Sequence, residues 1–425
     1  MRRHEMIQQL QSAPEWDICI IGGGATGLGI AVDAASRGFK TLLVEKFDFA
    51  KGTSSRSTKL VHGGVRYLQQ GNIKLVMEAL KERGTLIKNA PHLVKNQAFI
   101  VPNYKWWEGP FYGIGLKVYD WMAGSLGFGP SQFLSREETL QLAPTLYAEG
   151  LRSGVLYHDG QFDDARLAIH LAMTAADHGA TIINYMSVEG LLKTNNKVCG
   201  VILKDSLDND SSFEVKAKAV INATGVFTDS ILKMDDPKAE NLVTMSQGIH
   251  IVLDREFLPS DTAIMIPRTD DKRVLFAVPW HHKIIVGTTD TPVEHASTEP
   301  KAMEDEINFI LHHIQKYLTK DPDRADIRSV FAGLRPLVKA HSKNTAALSR
   351  DHHITVSDSE LITVTGGKWT TYRKMAEDVL EIAIPKARLK EIECKTKELR
   401  IHGHKNETDF DSPLYYYGSD EKNIR

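Results

Sequence analysis

The stretch DICIIGGGATGLGIAVDAASRGFKTLLVEK, residues 17–46, decides how the first part of this chain folds. Residues 18–21 form a continuous apolar run, which is typical of a parallel strand buried on both faces. Residues 25–37 carry apolar side chains at helical spacing, and Gly38 is the residue type that commonly follows a helix end. A second apolar run, residues 41–44, predicts a return strand. The stretch therefore predicts a strand–helix–strand unit of a parallel sheet.

The glycines between the first strand and the helix indicate what this unit binds. Gly22, Gly24 and Gly27 have the G-x-G-x-x-G spacing. In this spacing the first glycine allows a tight turn, the second lets the backbone approach a pyrophosphate, and the third lets helix and strand pack closely. Glu45 follows Gly27 by 18 residues, where a carboxylate that binds a ribose hydroxyl belongs. The pattern predicts a dinucleotide site, and Glu45 favours FAD or NAD over NADP because it implies a free ribose hydroxyl.

Composition limits the other classes of function. The chain has 425 residues, of which 42% are hydrophobic and 25% charged, so it is long enough for two globular domains. Its net charge of −2 gives no reason to expect nucleic-acid binding. The three cysteines, Cys19, Cys199 and Cys394, lie far apart and have no metal-ligand spacing. We therefore expect neither a disulfide framework nor a metal site.

The sequence after Glu45 favours FAD over NAD. It does not continue with further alternating strands and helices, but runs into FDFAKGTSSRSTKLVHGGVRYL, residues 47–68. This segment is rich in Ser, Thr and Gly, which suits wrapping a second, larger ligand in backbone and hydroxyl hydrogen bonds. The motif INATGVF, residues 221–227, follows an apolar run. It fits a strand that returns to the dinucleotide, and equally a plain strand-to-turn junction.

Three blocks of the sequence resemble the FAD-dependent glycerol-3-phosphate dehydrogenases, which belong to the fold family of D-amino-acid oxidase and glycine oxidase. They are TSSRSTKLVHGGVRYL at residues 53–68, VFAGLRPL at 330–337 and TGGKWTTYRKMAE at 365–377. The likeness extends from about residue 15 to about residue 385. It implies an α/β fold, with a discontinuous Rossmann-like FAD-binding domain and an α+β substrate domain built on an antiparallel sheet.

The resemblance also implies which residues contact the ligands. The positions that it implies for FAD are Gly22, Gly24, Gly27, Glu45, Ser54, Ser55, Ser57, Lys59, Leu60, His62, Gly63, Gly64, Ala223, Thr224, Gly225, Gly333, Gly367, Lys368, Trp369 and Thr370. The positions that it implies for substrate are Arg66, Tyr67, His250, Arg335 and Lys368. The candidates for catalysis are His62, Arg335 and Lys368.

Three of these positions are cations that lie far apart in the sequence. Arg66, Arg335 and Lys368 each sit beside glycines in an apolar setting. Taken alone, each could equally be a surface charge whose stem packs on the core. If they converge, as the resemblance implies, they suit a dianionic phosphate ester, because arginine offers a planar fork of donors and lysine a compact charge.

A base must remove a hydroxyl proton from such a substrate. His62 is a candidate because imidazole titrates near neutrality. His250 is an alternative base, and His62 could instead pack against the flavin.

The remaining sequence suggests how the domains divide. Short apolar or alternating runs between residues 246 and 290 predict an antiparallel sheet, and residues 303–318 predict a helix. Residues 161–180 predict another helix with an Asp N-cap and an end at Gly179, and Asp163 and Asp164 are interpreted as structural. The expected boundaries are 15–90, 155–245 and 335–385 for the FAD-binding domain, 91–154 and 246–334 for the substrate-binding cap domain, and 386–425 for the truncated start of a C-terminal region.

Two features bear on location. The N-terminal residues contain no apolar stretch of signal-peptide length, so we expect a cytoplasmic protein, peripheral on the inner face of the cell membrane. Residues 109–130 are rich in aromatics and glycine but include Lys117 and Asp120. They fit a patch on the membrane surface, and they also fit a buried segment between domains.

The function that these features favour is oxidation of sn-glycerol 3-phosphate to dihydroxyacetone phosphate, with hydride transfer to FAD and electrons passed to a membrane quinone. One alternative is a glycerol-3-phosphate oxidase that uses O2. Others are a flavoenzyme of the same fold that oxidises an amino or hydroxy acid, and a non-catalytic FAD-binding module. A homodimer is among the assemblies that the sequence allows.

Overall fold

The computed structural model describes residues 1–64, 72–208, 211–271, 273–339 and 352–425, and its strands form two sheets. The strands are β1 (Trp16–Ile21), β2 (Thr41–Val44), β3 (Leu60–Val61), β4 (Val94–Asn103), β5 (Gln132–Ser135), β6 (Ser153–Phe162), β7 (Thr181–Ile183), β8 (Met186–Thr194), β9 (Lys197–Asp205), β10 (Ser212–Asn222), β11 (Val243–Asp254), β12 (Ala263–Ile266), β13 (Leu275–Trp280), β14 (Lys283–Gly287), β15 (Thr291–Val293), β16 (Ser329–Val338), β17 (His352–Val356) and β18 (Ile362–Gly366). The α-helices are α1 (Arg3–Ser12), α2 (Ala25–Ser36), α3 (Ile73–Asn89), α4 (Glu108–Ala123), α5 (Arg136–Leu142), α6 (Asp164–Asp177), α7 (Thr228–Asp235), α8 (Glu304–Gln315), α9 (Tyr372–Lys386) and α10 (Glu421–Ile424).

The first sheet contains the strand–helix–strand unit predicted from residues 17–46. Its order is β17-β18-β10-β1-β2-β7, and β1 lies between β10 and β2 with all three strands parallel. Strands β8 and β9 extend this sheet as an antiparallel pair beside β10. Every residue of β2 is buried, as expected for a parallel strand covered on both faces. The predicted Rossmann-like unit is thereby confirmed.

Helices α2, α6 and α9 form one layer on this sheet. Leu28 of α2, Leu171 of α6 and Val379 of α9 are fully buried in the core that the helices share with β1 and β2. Burial of a side chain of this size contributes about 1.5–3 kcal/mol relative to exposure. The layer fixes the start of α2 at the carboxyl end of β1, where the glycine turn lies.

The second sheet carries the substrate side of the molecule. Its order is β15-β11-β14-β13-β12-β4-β6-β3, with β16 also paired to β11 and β5 to β6. All pairs are antiparallel except β12 with β4. Ile249 and Ile251 of β11 pack against Ile310 and Ile314 of α8. The antiparallel sheet predicted between residues 246 and 290 is confirmed, whereas the exact domain boundaries stay a prediction.

The starts of two helices are set by features that lie outside the helices themselves. Gln161 and Phe162 complete β6, because β3 and β4 pair with that part of the chain, and α6 starts only at Asp164. After β18, Gly366 and Gly367 both adopt positive φ, which reverses the chain and prevents a right-handed helix from starting there. A 3-10 turn over Trp369–Thr371 follows before α9 begins at Tyr372.

Candidate active site

A cavity with a volume of about 360 Å³ lies at the carboxyl ends of the parallel strands of the first sheet. Its wall is formed by the ends of β1, β2 and β18 and by the turn after β10. This edge is where open α/β sheets bind their ligands. The predicted residues that line this first cavity are Gly22, Gly24, Glu45, Ser54, Ala223, Thr224, Gly225, Gly367, Lys368 and Trp369.

The glycine turn has the tight geometry that pyrophosphate binding requires. A Cβ on Gly27 would lie 1.9 Å from the Gly22 carbonyl oxygen, and a Cβ on Gly22 would lie 2.6 Å from the Ala223 carbonyl oxygen. Gly24 precedes α2 and has no side chain to cap it, no acidic residue stands in the first turn, and the backbone N–H of Ala25 donates to the Ser54 hydroxyl at 2.9 Å. The start of α2 therefore favours an anion through its backbone N–H groups and its dipole.

Glu45, directly after β2, lines the same cavity. Its carboxylate accepts hydrogen bonds from the backbone N–H of Gly23 at 2.7 Å and of Phe47 at 2.8 Å. Burial raises the pKa of this carboxyl group, and the two backbone hydrogen bonds oppose that rise. A carboxylate has lone pairs beyond these two contacts, so it can also accept ribose hydroxyls. The glycine turn, the open helix start and Glu45 together fit FAD.

A second cavity, with a volume of about 180 Å³, lies on one face of the second sheet. It is smaller than the roughly 300–1,000 Å³ typical of sites for drug-sized ligands, so it suits a compact metabolite. One part of its wall is apolar and another part carries hydroxyl and charged groups. Its lining residues are Thr58, Leu60, His62, Gly64, Phe99, Tyr157, Asp159, Met265, Pro267, Arg273, Val274, Phe276, Thr288, Thr289, Asp290 and Arg335.

Two arginines and Asp290 lie together on one side of the second cavity. Arg335 donates a hydrogen bond to the Thr288 hydroxyl at 2.9 Å, and its Nη1 lies 3.8 Å from Asp290 Oδ1. Arg273 donates to the Asp290 carbonyl oxygen at 2.8 Å, and its Nη1 lies 3.5 Å from Asp290 Oδ2. Arg273 Nε also pairs with Asp271 Oδ2 at 3.1 Å, so two carboxylates balance the two arginines, and it is the planar forks of guanidinium donors that favour an anionic ligand.

Small residues in the neighbouring strands make room for the polar side chains. A Cβ on Gly248 of β11 would lie 2.1 Å from Arg335 Nη2, and a Cβ on Gly287 of β14 would lie 2.2 Å from the His250 ring. Both glycines therefore allow a large polar side chain to lie across a strand.

One chain segment joins the two cavities. We call residues 53–64 the linking segment; Thr53 and Ser54 line the first cavity, and His62 and Gly64 line the second. The Asp164 carboxylate, which is fully buried, fixes its middle. Asp164 accepts hydrogen bonds from the Ser57 hydroxyl at 2.7 Å and from Lys59 Nζ at 2.6 Å.

These contacts refine two interpretations made from sequence. Ser57 and Lys59 direct their polar groups to Asp164, so both side chains hold the shape of the linking segment. Asp164, interpreted as structural, does more than begin α6, because it anchors this segment from a distance of more than 100 positions in sequence. Asp163 caps α6 through the backbone N–H of Arg166, as predicted.

His250 and His62 differ in their surroundings. His250 is 2% exposed, stacks on Phe331, and has its Nε2 2.9 Å from the Thr58 hydroxyl. Burial lowers the pKa of His250 to about 3, and the nearby charges of Arg335 and Lys59 add to this effect. His250 is thus neutral near pH 7, whereas His62 lines the second cavity directly.

We expect the protein to lose stability on mild acidification. Burial lowers the pKa of His92 as well as that of His250 to about 3, whereas an unfolded histidine titrates near 6.5. Between these two values the unfolded chain binds more protons, so stability falls as the pH falls. The two histidines should together lower the free energy of unfolding by about 4 kcal/mol between pH 7 and pH 5.

Urea unfolding of the FAD-bound protein at the two pH values measures this change. His92→Gln should reduce the pH dependence, because one group with a strongly lowered pKa no longer titrates. Equal stability of the wild-type protein at pH 5 and pH 7 would show that these histidines are not held neutral.

Not every predicted residue lies on a cavity wall. Leu60, His62, Gly64 and Arg335 line the second cavity. Of the described residues, those predicted for ligand binding that lie on neither wall are Gly27, Ser55, Ser57, Lys59, Gly63, Gly333, Thr370 and His250. Arg66 and Tyr67 lie outside the described residues, so their roles stay predictions. The structure brings Arg335 and His62 onto one wall, while Lys368 lines the first cavity.

Sequence reasoning missed Arg273, Thr288 and Asp290. They lie in the turn before β13 and just after β14, in the sequences KRV and GTTD, which taken alone are ordinary turn sequences. The sequence feature that could have indicated this part of the site is Gly287 at the end of β14, because the His250 ring lies against it.

Comparisons with known proteins agree with this geometry. The family model described as FAD dependent oxidoreductase (DAO) matches residues 17–373. The chain is 42% identical to a mitochondrial glycerol-3-phosphate dehydrogenase from Schizosaccharomyces pombe, over 95% of this chain and 67% of that protein. It is 45% identical to the mitochondrial glycerol-3-phosphate dehydrogenase from Homo sapiens, over 95% of this chain and 58% of that protein.

A solved structure shares the fold over almost the whole chain. The glycerol-3-phosphate dehydrogenase from Bacillus halodurans, solved in complex with FAD, superposes with a TM-score of 0.77 at 34% identity. The match covers 94% of this chain and 70% of that one. The chain spans about three fifths of the length of its human relative. It belongs to the DAO family of FAD-dependent oxidoreductases and, within that family, to the glycerol-3-phosphate dehydrogenases.

Proposed function

We propose that the protein oxidises sn-glycerol 3-phosphate to dihydroxyacetone phosphate. The observation that carries this proposal is the second cavity, which has paired arginines and a histidine on its wall and is joined to the FAD cavity by the linking segment. When bound, FAD supplies the acceptor for the hydride that leaves C2 of the substrate. The relatives named above as glycerol-3-phosphate dehydrogenases support the choice of substrate.

The arginines account for the choice of a phosphate ester. Arg335 and Arg273 carry planar forks of donors that match phosphate oxygens, and both arginines lie on the wall of the second cavity. Lys368, with a buried Nζ, adds a further cation at the wall of the first cavity. Arg66 and Tyr67 remain further candidates for this role.

His62 is the better of the two candidate bases. It lines the second cavity, so its imidazole can reach a hydroxyl of a substrate bound there. His250 lies behind the wall, and its lowered pKa makes it a weak proton acceptor near pH 7. In our account, His62 takes the C2 hydroxyl proton, and Arg335 stabilises the negative charge that develops on the substrate oxygen.

Product analysis tests the proposal and separates it from its alternatives. The FAD-bound protein should convert sn-glycerol 3-phosphate to dihydroxyacetone phosphate when a soluble quinone analogue is present, with one quinone reduced per product. Peroxide formed at the rate of product would favour an oxidase. Turnover of an amino acid or hydroxy acid, with none of the phosphate ester, would contradict the proposal. A homodimer, which is one of the assemblies that the sequence allows, is tested separately by the mass of the protein in solution.

Helix α4 supports a peripheral contact with the membrane. Its buried face includes Tyr112, Leu116 and Tyr119, while the opposite face exposes an apolar group that we call the α4 patch. The members of this patch, at helical spacing, are Phe111, Ile114, Val118 and Trp121. Ile114 is 65% exposed and Trp121 is 82% exposed. Among the described residues, no helix has the length and hydropathy needed to cross a bilayer.

We propose that the α4 patch lies in the interfacial region of the inner face of the cell membrane, where a quinone is within reach. The double variant Ile114→Glu/Trp121→Glu should bind vesicles of phosphatidylcholine and phosphatidylglycerol at least about tenfold more weakly, because two apolar anchors are replaced by charges. Its flavin reduction by soluble substrate should stay unchanged.

Leu207→Glu provides a matched control for this experiment. Leu207 is 63% exposed but lies in the turn after β9, away from α4. This variant should bind vesicles as the wild-type protein does. Unchanged vesicle binding by the double variant would contradict the membrane contact while leaving the proposed reaction intact.

A further inference from the structure

We propose that the Tyr119 hydroxyl is a positioning group for the reaction, holding the backbone N–H of Gly63 and so fixing the His62 end of the linking segment against the second cavity. This inference rests on the proposed function, because it concerns the site that we assign to substrate. Tyr119 lies on α4 and is distant from Gly63 in sequence, so the contact is a tertiary one.

The hydroxyl makes two short hydrogen bonds of opposite sense, and Arg83 Nη1 donates a longer one to it at 3.5 Å. It accepts from the backbone N–H of Gly63 at 2.7 Å and donates to Asp159 Oδ2 at 2.9 Å. Tyr119 is 1% exposed, and burial followed by the charge of Asp159 raises its pKa well above the ordinary value. The hydroxyl therefore keeps its proton, which is needed for donation to Asp159, and its lone pair remains available to Gly63.

A buried ion pair fixes the direction of these bonds. Arg83 Nη1 lies 2.6 Å from Asp159 Oδ1, and the two side chains are 1% and 3% exposed. The carboxylate thus receives one donor on each oxygen, from Arg83 and from Tyr119. Since Asp159 lines the second cavity, Arg83 also compensates a negative charge that would otherwise oppose an anionic substrate.

The packing around Gly63 leaves no room for a side chain at this position. A Cβ on Gly63 would lie 2.5 Å from the Tyr119 hydroxyl oxygen and 2.5 Å from Leu80 Cδ2. The backbone is therefore pressed directly against the tyrosine, one residue after His62 and three residues before Arg66 in sequence. Phenylalanine would keep the ring but remove the only group in this contact that both accepts and donates.

Tyr119→Phe tests the inference, with Tyr112→Phe as the matched control. Tyr112 is buried on the same helix, and its hydroxyl makes no hydrogen bond to any described residue. In Tyr119→Phe, the Gly63 amide should exchange hydrogen at least about tenfold faster, equivalent to ~1.4 kcal/mol. The maximum rate of flavin reduction by sn-glycerol 3-phosphate should fall by about tenfold or more, with little change in FAD content. The control should change neither quantity by as much as about twofold.

The two readouts separate the failure of this inference from failure of the proposed function. If the wild-type protein does not oxidise the substrate but Tyr119→Phe still exposes the Gly63 amide, the contact stands and the substrate assignment falls. Unchanged exchange at Gly63 would overturn the inference, as would an unchanged rate of flavin reduction in an enzyme that is active. If Tyr119→Phe does not fold, amide hydrogen exchange in the wild-type protein still tests the inference. The amide hydrogen of Gly63 should then exchange at least about tenfold more slowly than that of Gly64, and equal rates would overturn the inference.

Discussion

Arg335→Ala should lower kcat/KM for sn-glycerol 3-phosphate by about 100-fold or more. Arg335 is the arginine of the antiparallel sheet that lines the second cavity beside Thr288 and Asp290. Hydrogen bonds between charged groups contribute about 1.5–3 kcal/mol each, so the loss of a two-pronged contact with phosphate should exceed the ~2.7 kcal/mol that corresponds to 100-fold. Steady-state rates with a soluble quinone analogue measure the loss.

Two further variants show whether charge or geometry matters. Arg335→Lys keeps the charge but loses the planar fork, so it should retain part of the activity. Arg136→Ala removes a surface arginine of α5 and should leave kcat/KM unchanged. All three proteins should keep FAD, because Arg335 lines the second cavity and not the first. Less than about a threefold loss in Arg335→Ala would contradict its role in binding substrate.

Gly27→Ala should abolish stable FAD binding. A Cβ at this position would lie 1.9 Å from the Gly22 carbonyl oxygen. Because the Cβ is fixed to the backbone of Gly27 and the oxygen belongs to the backbone of Gly22, the contact can be relieved only if the whole turn shifts. A shift of that turn removes the backbone N–H groups that should face the pyrophosphate. We expect FAD to bind at least about 100-fold more weakly, as measured by fluorescence titration of the protein after removal of FAD.

Gly115→Ala is the matched control for the glycine turn. A Cβ at Gly115, in α4, meets no atom within 4 Å, and alanine has a higher helix propensity than glycine. This variant should bind FAD normally and be as stable as the wild-type protein or more so. Normal FAD binding by Gly27→Ala would mean that the turn tolerates a side chain, in contradiction to the structure.

The parts of the fold that sequence predicted correctly are those specified by local pattern. β2 was predicted at its observed bounds, and β1 and α2 within two residues, because continuous apolar runs, glycines and helical spacing all lie within residues 17–46. The antiparallel strands β11 to β14 were also predicted, since alternating runs between turn residues are a local signal.

The parts that sequence could not predict depend on long-range pairing. Gln161 and Phe162 have helical spacing with the residues after them, but pairing with β3 and β4 keeps them in a strand. Lys59 was predicted to lie against FAD, and only the fold shows that its ammonium group pairs with Asp164. Arg273 gave no signal at all, because only the folding of β13 and β14 brings it beside Asp290. Tertiary contacts, not local patterns, decide such positions.

Anaerobic titration of the FAD-bound protein with sn-glycerol 3-phosphate, followed by visible flavin absorbance, tests the central claim most directly. The account predicts that this compound bleaches the flavin stoichiometrically, while glycerol and amino acids do not, because only the phosphate ester engages the arginines of the second cavity. Flavin that stays oxidised with the phosphate ester, or that is bleached equally by glycerol, would contradict the assignment of the second cavity to this substrate.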